Sequence, residues 1–219
     1  MPAALSTLLL ATHNAAKLDE LRRIVAASGL DVEVLGLDDV ASYPEPAETE
    51  TTFEGNALLK AREAAARTGL PALADDSGLE VDALNGMPGV RTARWSGPDA
   101  TNESNRRLVL AQVHDVPDAR RAARFVCAIA LVAPDGTEHV LRATMEGRLA
   151  QAEIGDNGFG YDPIFIADGE TVTNAQLTSG RKDAISHRGK AVRAMVEHIR
   201  AWNDGRPAPA ASGPSEEHT

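Results

Sequence analysis

The stretch RFVCAIALVAPDGTEHVLRATMEGRL, residues 124–149, constrains the fold more than any other part of the chain. Two strand-like apolar runs meet at Pro-Asp-Gly, a turn sequence whose residues suit a tight reversal. The stretch predicts an antiparallel hairpin near the middle of the sequence. On either side the hydrophobic period changes. STLLLAT (6–12) is a short apolar run ending in polar residues. KLDELRRIVAASG then puts Leu18, Leu21, Ile24 and Val25 on one helical face, with Gly29 as a C-cap. DVEVLGL (31–37) reads as a strand and YPEPAETET as an extended acidic loop.

Thr51 and Glu54 have capping-box spacing, opening a helix over FEGNALLKAREAAARTG that Gly69 closes. PALAD reads as a short strand and GDNGFGYDPIFI as a glycine-rich loop entering another. SHRGKAVRAMVEHIRAW reads as a helix capped by Ser186, with Val192, Met195, Val196 and Ile199 as its apolar stripe. Strands alternating with helices about a central hairpin predict a mixed α/β fold, with ligand loops at the carboxyl ends of strands. From Asn203 onward, NDGRPAPAASGPSEEHT has no branched aliphatic or aromatic residue. One folded domain over residues 1–202 and a disordered tail over 203–219 are therefore expected.

Charge and cysteine content exclude several functions. With 32 acidic and 22 basic residues the chain carries a net −10, which disfavours a sequence-independent hold on nucleic acid. A local lysine cluster can still bind a small phosphorylated ligand. Cys127 is the sole cysteine and sits in an apolar run, so it reads as a buried hydrophobe. No basic segment precedes the apolar N-terminal residues, and no run reaches the roughly 18 apolar residues of a membrane span. A cytoplasmic protein without a membrane partner is expected.

The segment LADDSGLEVDALNGMPG (73–89) carries the sharpest chemical question. Adjacent carboxylates repel, so Asp75 and Asp76 need either a surface turn or a compensating cation such as a divalent metal. On an extended strand neighbouring side chains point to opposite faces, so only one should face a given site. ATHNAAK (11–17) is a strand-to-helix turn whose amides, with Thr12, Asn14 and Lys17, can hold an anion; an ordinary polar cap would look the same. Asn56 and Lys60 share a helical face opposite Ala57, Ala61 and Ala64, a pattern also shown by a solvated stripe. Glu48 precedes that helix. With Asp76 it makes the sparse oxygen set that magnesium takes, the rest coming from water and phosphate.

RKDAISHRGK (181–190) clusters Lys182, His187, Arg188 and Lys190 at an expected helix start, where cations oppose the dipole. Phe159, between two glycines, is either an exposed stacking platform or a core residue folded back. The P-loop, dinucleotide and zinc-protease motifs are absent, and Ser77 lacks a nucleophile elbow. The set as a whole describes a site for a magnesium-bound nucleotide polyphosphate.

THNAAK, ETETTFEGNALLKA, ADDSGLEVDALNGMPGVRTARWSG, GFGYDPIF and SHRGKA occur in this order. With them the chain, from about residue 8 to about 202, resembles the inosine triphosphate pyrophosphatase family, house-cleaning enzymes acting on non-standard purine nucleoside triphosphates. The resemblance implies an α/β fold with an elongated mixed β-sheet in two lobes, flanked by helices, around a central substrate cleft. It also implies a homodimer. The implied reaction is hydrolysis of ITP, dITP or XTP to the monophosphate and pyrophosphate with Mg2+. It assigns the triphosphate to Thr12, His13, Asn14, Ala15, Ala16, Lys17, Lys60 and Lys182. Glu48 and Asp76 would hold the metal, Asp76 would be the general base, and Ser77 would touch substrate. Phe159, Gly160, Tyr161 and Asp162 would contact base and sugar, while His187 and Arg188 would read the 6-keto edge. A pyrimidine-preferring relative and a nucleotide-sensing module without catalysis are the competing readings, and the Lys17, Glu48 and Asp76 set speaks against the second.

Overall fold

The computed structural model describes residues 4–206. Its framework is one six-stranded sheet in the order β2-β1-β3-β4-β5-β6. β1 is Thr7–Leu10, β2 Glu33–Leu35, β3 Ala72–Val81, β4 Ala122–Val132, β5 Glu138–Leu149 and β6 Phe165–Ala167. β1 runs parallel to β2 and β3, and the remaining pairs are antiparallel. The expected hairpin is β4–β5, turning at Pro134-Asp135-Gly136 with Gly136 at φ 87°. β3, β4 and β5, of 10, 11 and 12 residues, are the long strands of the sheet.

Among the described residues, five helices flank the sheet. They are α1 (Ala15–Ser28), α2 (Phe53–Thr68), α3 (Asn102–Gln112), α4 (Ser179–Ile185) and α5 (His187–Asn203). The period of two on β1 sorts the core: Leu8 and Leu10 face α1 and α5, where Leu21, Val25, Val192, Met195, Val196 and Ile199 are buried. Leu9 faces the other way, with Phe53, Ala57, Ala61 and Ala64 of α2. A further cluster gathers Leu79, Val81, Phe125, Met145, Leu149 and Phe165 with Val109 of α3 around the far ends of the long strands. The sheet thus runs through two lobes, one around β1 and β2 and one around β6 and α3, as expected.

Several local expectations shift. The α2 N-cap is Thr52, not Thr51: the Thr52 hydroxyl accepts from Gly55 N at 3.0 Å. The 31–37 strand is confined to Glu33–Leu35, after which Leu37–Asp39 form a 3₁₀ turn. PALAD is the start of a long strand, because β4 pairs with β3 through Val81. α3 adds a helix to the expected elements. Ser186 caps α5 as expected, accepting from Gly189 N at 2.9 Å. Helix α5 extends through Asn203, whose side chain accepts from Leu5 N (2.7 Å) and donates to Leu5 O (2.9 Å). Most of the expected tail, residues 207–219, lies outside the described residues. No described helix is long and apolar enough to cross a membrane.

The sheet topology creates the place for a site. β1 pairs with β3 only at Ala72 and Leu73 and stops at Leu10. Asp75 and Asp76 lie immediately beyond, where β3 has lost its parallel neighbour and the turn into α1 begins. This is the carboxyl end of two parallel strands, the usual position of ligands in open α/β sheets.

Candidate active site

Asp75 and Asp76 are mid-strand and buried, 4% and 9% exposed, which removes the surface-turn explanation. Each has cationic company on its own face of the sheet. On the α1/α5 face, Lys17 Nζ donates to Asp75 Oδ2 at 2.6 Å, and Arg188 Nε lies 3.6 Å from the same oxygen. Ser77, two residues on, shares this face, with its Oγ 3.4 Å from Asp75 Oδ2. Arg188 Nη2 donates to Lys17 O at 3.2 Å, and its Nη1 contacts Glu20. Burial draws the Arg188 guanidinium down to about 10.

The turn before α1 is built as a cap. Asn14 Oδ1 accepts from Ala16 N (3.1 Å) and Lys17 N (3.3 Å), and Thr12 Oγ1 accepts from Asn14 N (3.2 Å). His13, Asn14, Ala15 and Ala16 are exposed, so the turn is open to an incoming anion. His13 Nε2 lies 3.4 Å from Glu45.

On the α2 face the arrangement is different. Asn56 Nδ2 donates to Asp76 Oδ2 at 3.0 Å, while Asn56 Oδ1 accepts from Glu50 N at 3.1 Å. One fully buried asparagine therefore ties the loop carrying Glu48 to the strand carrying Asp76, and the solvated-stripe reading of Asn56 fails. Lys60 Nζ lies 3.0 Å from Glu48 Oε1 and 3.9 Å from Asp76 Oδ1. Lys17 and Lys60 consequently approach the aspartate pair from opposite faces, not from one cleft wall.

The two carboxylates that share Lys60 are tuned apart. Burial raises the Asp76 carboxyl, and Lys60 and Asn56 offset this only in part. For Glu48 burial is again the largest influence, but Lys60 and Arg94 together outweigh it and hold the group below the ordinary glutamate value. Arg94 Nη1 donates to Glu48 Oε2 at 3.2 Å. Glu48 also borders a groove of about 500 Å³ between residues 48–54 and 85–94. No group of three or more His, Cys, Asp or Glu able to hold a metal occurs among the described residues.

The third assembly surrounds Phe159, which is 75% exposed, so the folded-back reading is excluded. Lys182 Nζ sits 4.9 Å from the ring centroid and donates to Asp162 Oδ2 at 2.5 Å. Asp162 also accepts from Phe159 N (2.9 Å) and Asn174 Nδ2 (3.3 Å), so it organises the loop from a buried position. Tyr161 is buried too, its hydroxyl donating to Thr92 O at 2.7 Å. Gly158, at φ 78°, leaves no room for a Cβ against Asp162. Lys182 belongs to the last turn of α4, where the helix dipole favours a cation, and not to the start of the α5 helix.

His187 opens α5 between these groups. Its ring stacks on Phe125 at 5.1 Å and 10°, and its buried Nδ1 has no hydrogen-bond partner in the structure. Burial first, and the Lys182 charge second, push the imidazole down to about 3, so it is neutral at neutral pH. A neutral imidazole with an uncommitted nitrogen can complete a hydrogen bond to a ligand. Cys127 is fully buried with its thiol raised to about 12, as suits an inert core residue.

Two basic residues escaped the sequence reading, Arg94 at Glu48 and Arg106, which reaches the Phe159 loop. Arg106 lies on α3, whose N-cap threonine and apolar Leu108 and Val109 were available as signals. Arg94 ends a 3₁₀ turn and carries no local signature.

A model of the Ham1 family matches residues 8–198. A protein of Cutibacterium acnes named dITP/XTP pyrophosphatase is 57% identical over 204 residues, spanning 92% of this chain and all of its own length. One of the same name from Frankia alni is 58% identical over 197 residues, covering 88% of this chain and 96% of its own. The crystal structure of the nucleoside-triphosphatase / dITP/XTP pyrophosphatase of Mycobacterium abscessus superposes with a TM-score of 0.76 at 52% identity, over 86% of this chain and 97% of that one. The Ham1 protein of Staphylococcus aureus superposes with 0.81 at 36% identity, over 91% and 98%. The sheet, the charge-paired aspartates and the glycine-flanked phenylalanine are thus those of a chain that belongs to the Ham1 family.

Proposed function

We propose that this protein hydrolyses non-standard purine nucleoside triphosphates (ITP, dITP and XTP) to the nucleoside monophosphate and pyrophosphate, using Mg2+, and so clears them from the nucleotide pool. The names of the relatives at 57% and 58% identity support the substrate class. The observation that carries the chemistry is the divergence of Glu48 and Asp76. Two carboxylates around one ammonium are held in opposite directions, Glu48 below its ordinary value and Asp76 above. Such a split makes Asp76 the stronger proton acceptor of the two carboxylates and Glu48 the weaker.

The donor set suits magnesium, a hard cation that takes one or two carboxylates and keeps its other positions for water and phosphate: Glu48 and Asp76 converge on the one Lys60 ammonium. When bound there, Mg2+ would supply Lewis-acid polarisation and neutralise phosphate charge. Glu48 and Asp76 would hold it. Asp76 accepts the proton of the water that attacks the α-phosphorus. Lys60, Lys17, Lys182 and the Thr12–Lys17 turn receive the triphosphate, and Ser77 touches it beside Asp75. As the P–O bond to the pyrophosphate breaks, the charge that develops on the leaving group falls on these cations.

Phe159 stacks the base, Gly160 to Asp162 shape its pocket, and His187 and Arg188 read the 6-keto edge. A donor there favours inosine and xanthine over adenine, which presents an amine. The working form is a cytoplasmic homodimer, with one domain through residue 202 performing the reaction. Pyrophosphate release from ITP, XTP, dITP, ATP, GTP and dTTP, with and without Mg2+, tests this: the first three should lead, and only with metal. Preference for dTTP, or binding of ITP without pyrophosphate release, would replace the proposal.

A further inference from the structure

Phe159 presents an open ring from a segment with little stiffness of its own. Gly158 and Gly160 flank it at φ 78° and 59°, so the peptide units on both sides can rotate with small steric cost. The direction of the ring therefore depends on hydrogen bonds to those units. Asp162 takes the Phe159 N–H on one side. On the other, Arg106 of α3 donates from Nη1 to Gly160 O at 2.9 Å.

The same guanidinium reaches the entry of the loop: Arg106 Nε lies 2.7 Å from Glu153 Oε2. Its side chain is only 15% exposed. One planar fork thus joins residues 153 and 160 across the glycine loop, from a helix packed into the far lobe by Val109. A guanidinium suits this task because its donors diverge in a fixed plane. A lysine has a single nitrogen at the end of a flexible stem.

We propose that Arg106 is a positioning residue for base recognition: by clamping Glu153 and the Gly160 carbonyl it holds the Phe159 ring in its stacking direction, and so sets the affinity for the purine without touching it. The inference rests on the reading that Phe159 stacks the base. Aromatic stacking contributes sequence-tolerant affinity to each base it covers, and that contribution depends on ring placement. Of the groups that receive the triphosphate, Lys17, Lys60 and the Thr12–Lys17 turn lie elsewhere, and Lys182, beside the Phe159 ring, is held by Asp162 and not by Arg106, so triphosphate binding should be unaffected.

The test compares Arg106→Met, Arg106→Lys and Phe159→Ala with the unmodified protein, using ITP as substrate and inorganic tripolyphosphate as a base-free competitive inhibitor. Arg106→Met should raise KM for ITP about tenfold or more, with kcat within about threefold and an unchanged inhibition constant for tripolyphosphate. Arg106→Lys should fall between, since it can keep only one contact; it decides the matter by the same readings if the methionine variant does not fold. Unchanged KM in both Arg106 variants, with a raised KM in Phe159→Ala, overturns the clamp and leaves base stacking standing. Unchanged KM in Phe159→Ala overturns the stacking reading and the clamp with it. Equal weakening of ITP and tripolyphosphate by Arg106→Met would show general damage to the site and also defeats the proposal.

Discussion

Asp75 and Asp76 are consecutive on β3, yet their carboxylates serve opposite faces of the sheet. Asp75 holds Lys17 and faces Arg188 on the α1/α5 side, whereas Asp76 faces Asn56 and Lys60 on the α2 side. Strand alternation makes this division obligatory, and the end of β1 at Leu10 opens both faces to the same region.

Asp75 is therefore an organiser of cations. Asp75→Asn should loosen Lys17 and Arg188, raising KM for ITP while leaving kcat within about tenfold of the unmodified enzyme. The magnesium midpoint should not move. Steady-state kinetics at several Mg2+ concentrations check this, and a shifted magnesium requirement would place Asp75 at the metal.

Arg94 should act through Glu48. It donates to Glu48 Oε2, leaving Oε1 toward Lys60 and the proposed metal. Its side chain is 44% exposed, so the pair contributes little to folding. Removing the hydrogen bond from a ligating carboxylate typically weakens metal binding by about 10- to 100-fold. Arg94→Met should thus weaken Mg2+ binding toward the lower end, about tenfold, with an unchanged melting temperature. Calorimetric titration with Mg2+ reads it directly, and an unaltered affinity would leave Arg94 without this role.

Acid should destabilise the fold through buried histidines. The unfolded chain protonates His187 near 6.5, while the folded chain resists until about 3. In that window the unfolded state binds more protons, so the stabilisation is complete above 6.5 and is lost as pH falls, by at most about 1.4 kcal/mol per pH unit for one group. His198 and His139, lowered by burial, act in the same direction. The urea midpoint should decline from pH 7 to pH 5; a flat or rising profile would contradict the burial of neutral imidazoles.

How much of this could be read from the sequence depended on whether a signal was local. The hairpin, the Gly29 and Gly69 caps, the α5 stripe and the opposed aspartates follow from period and turn chemistry within a few residues. The N-cap moved from Thr51 to Thr52 because either hydroxyl can cap, and only the chain path selects one. The sequence suggests only a short strand at PALAD because Asp-Asp-Ser-Gly resembles a turn; pairing with β4 overrides that preference. Within the site, the carboxylates and lysines stood out by type. What eluded the sequence was their partnership: Lys17 with Asp75, Asn56 bridging Glu50 and Asp76, and Arg94 and Arg106 arriving from segments 46 and 54 residues away from their partners. Such contacts arise only when the sheet brings distant segments together.

The most direct test of the mechanism is the rate of pyrophosphate release from ITP by Asp76→Asn at saturating Mg2+. Asparagine keeps the size and the possible hydrogen bond to Asn56 but cannot accept the proton. The rate should fall by at least about 10²- to 10⁴-fold, the contribution of a general base, while ITP still binds through the lysines and Phe159. A variant that turns over ITP at nearly the unmodified rate would show that Asp76 is not the base and that the split between it and Glu48 has another origin.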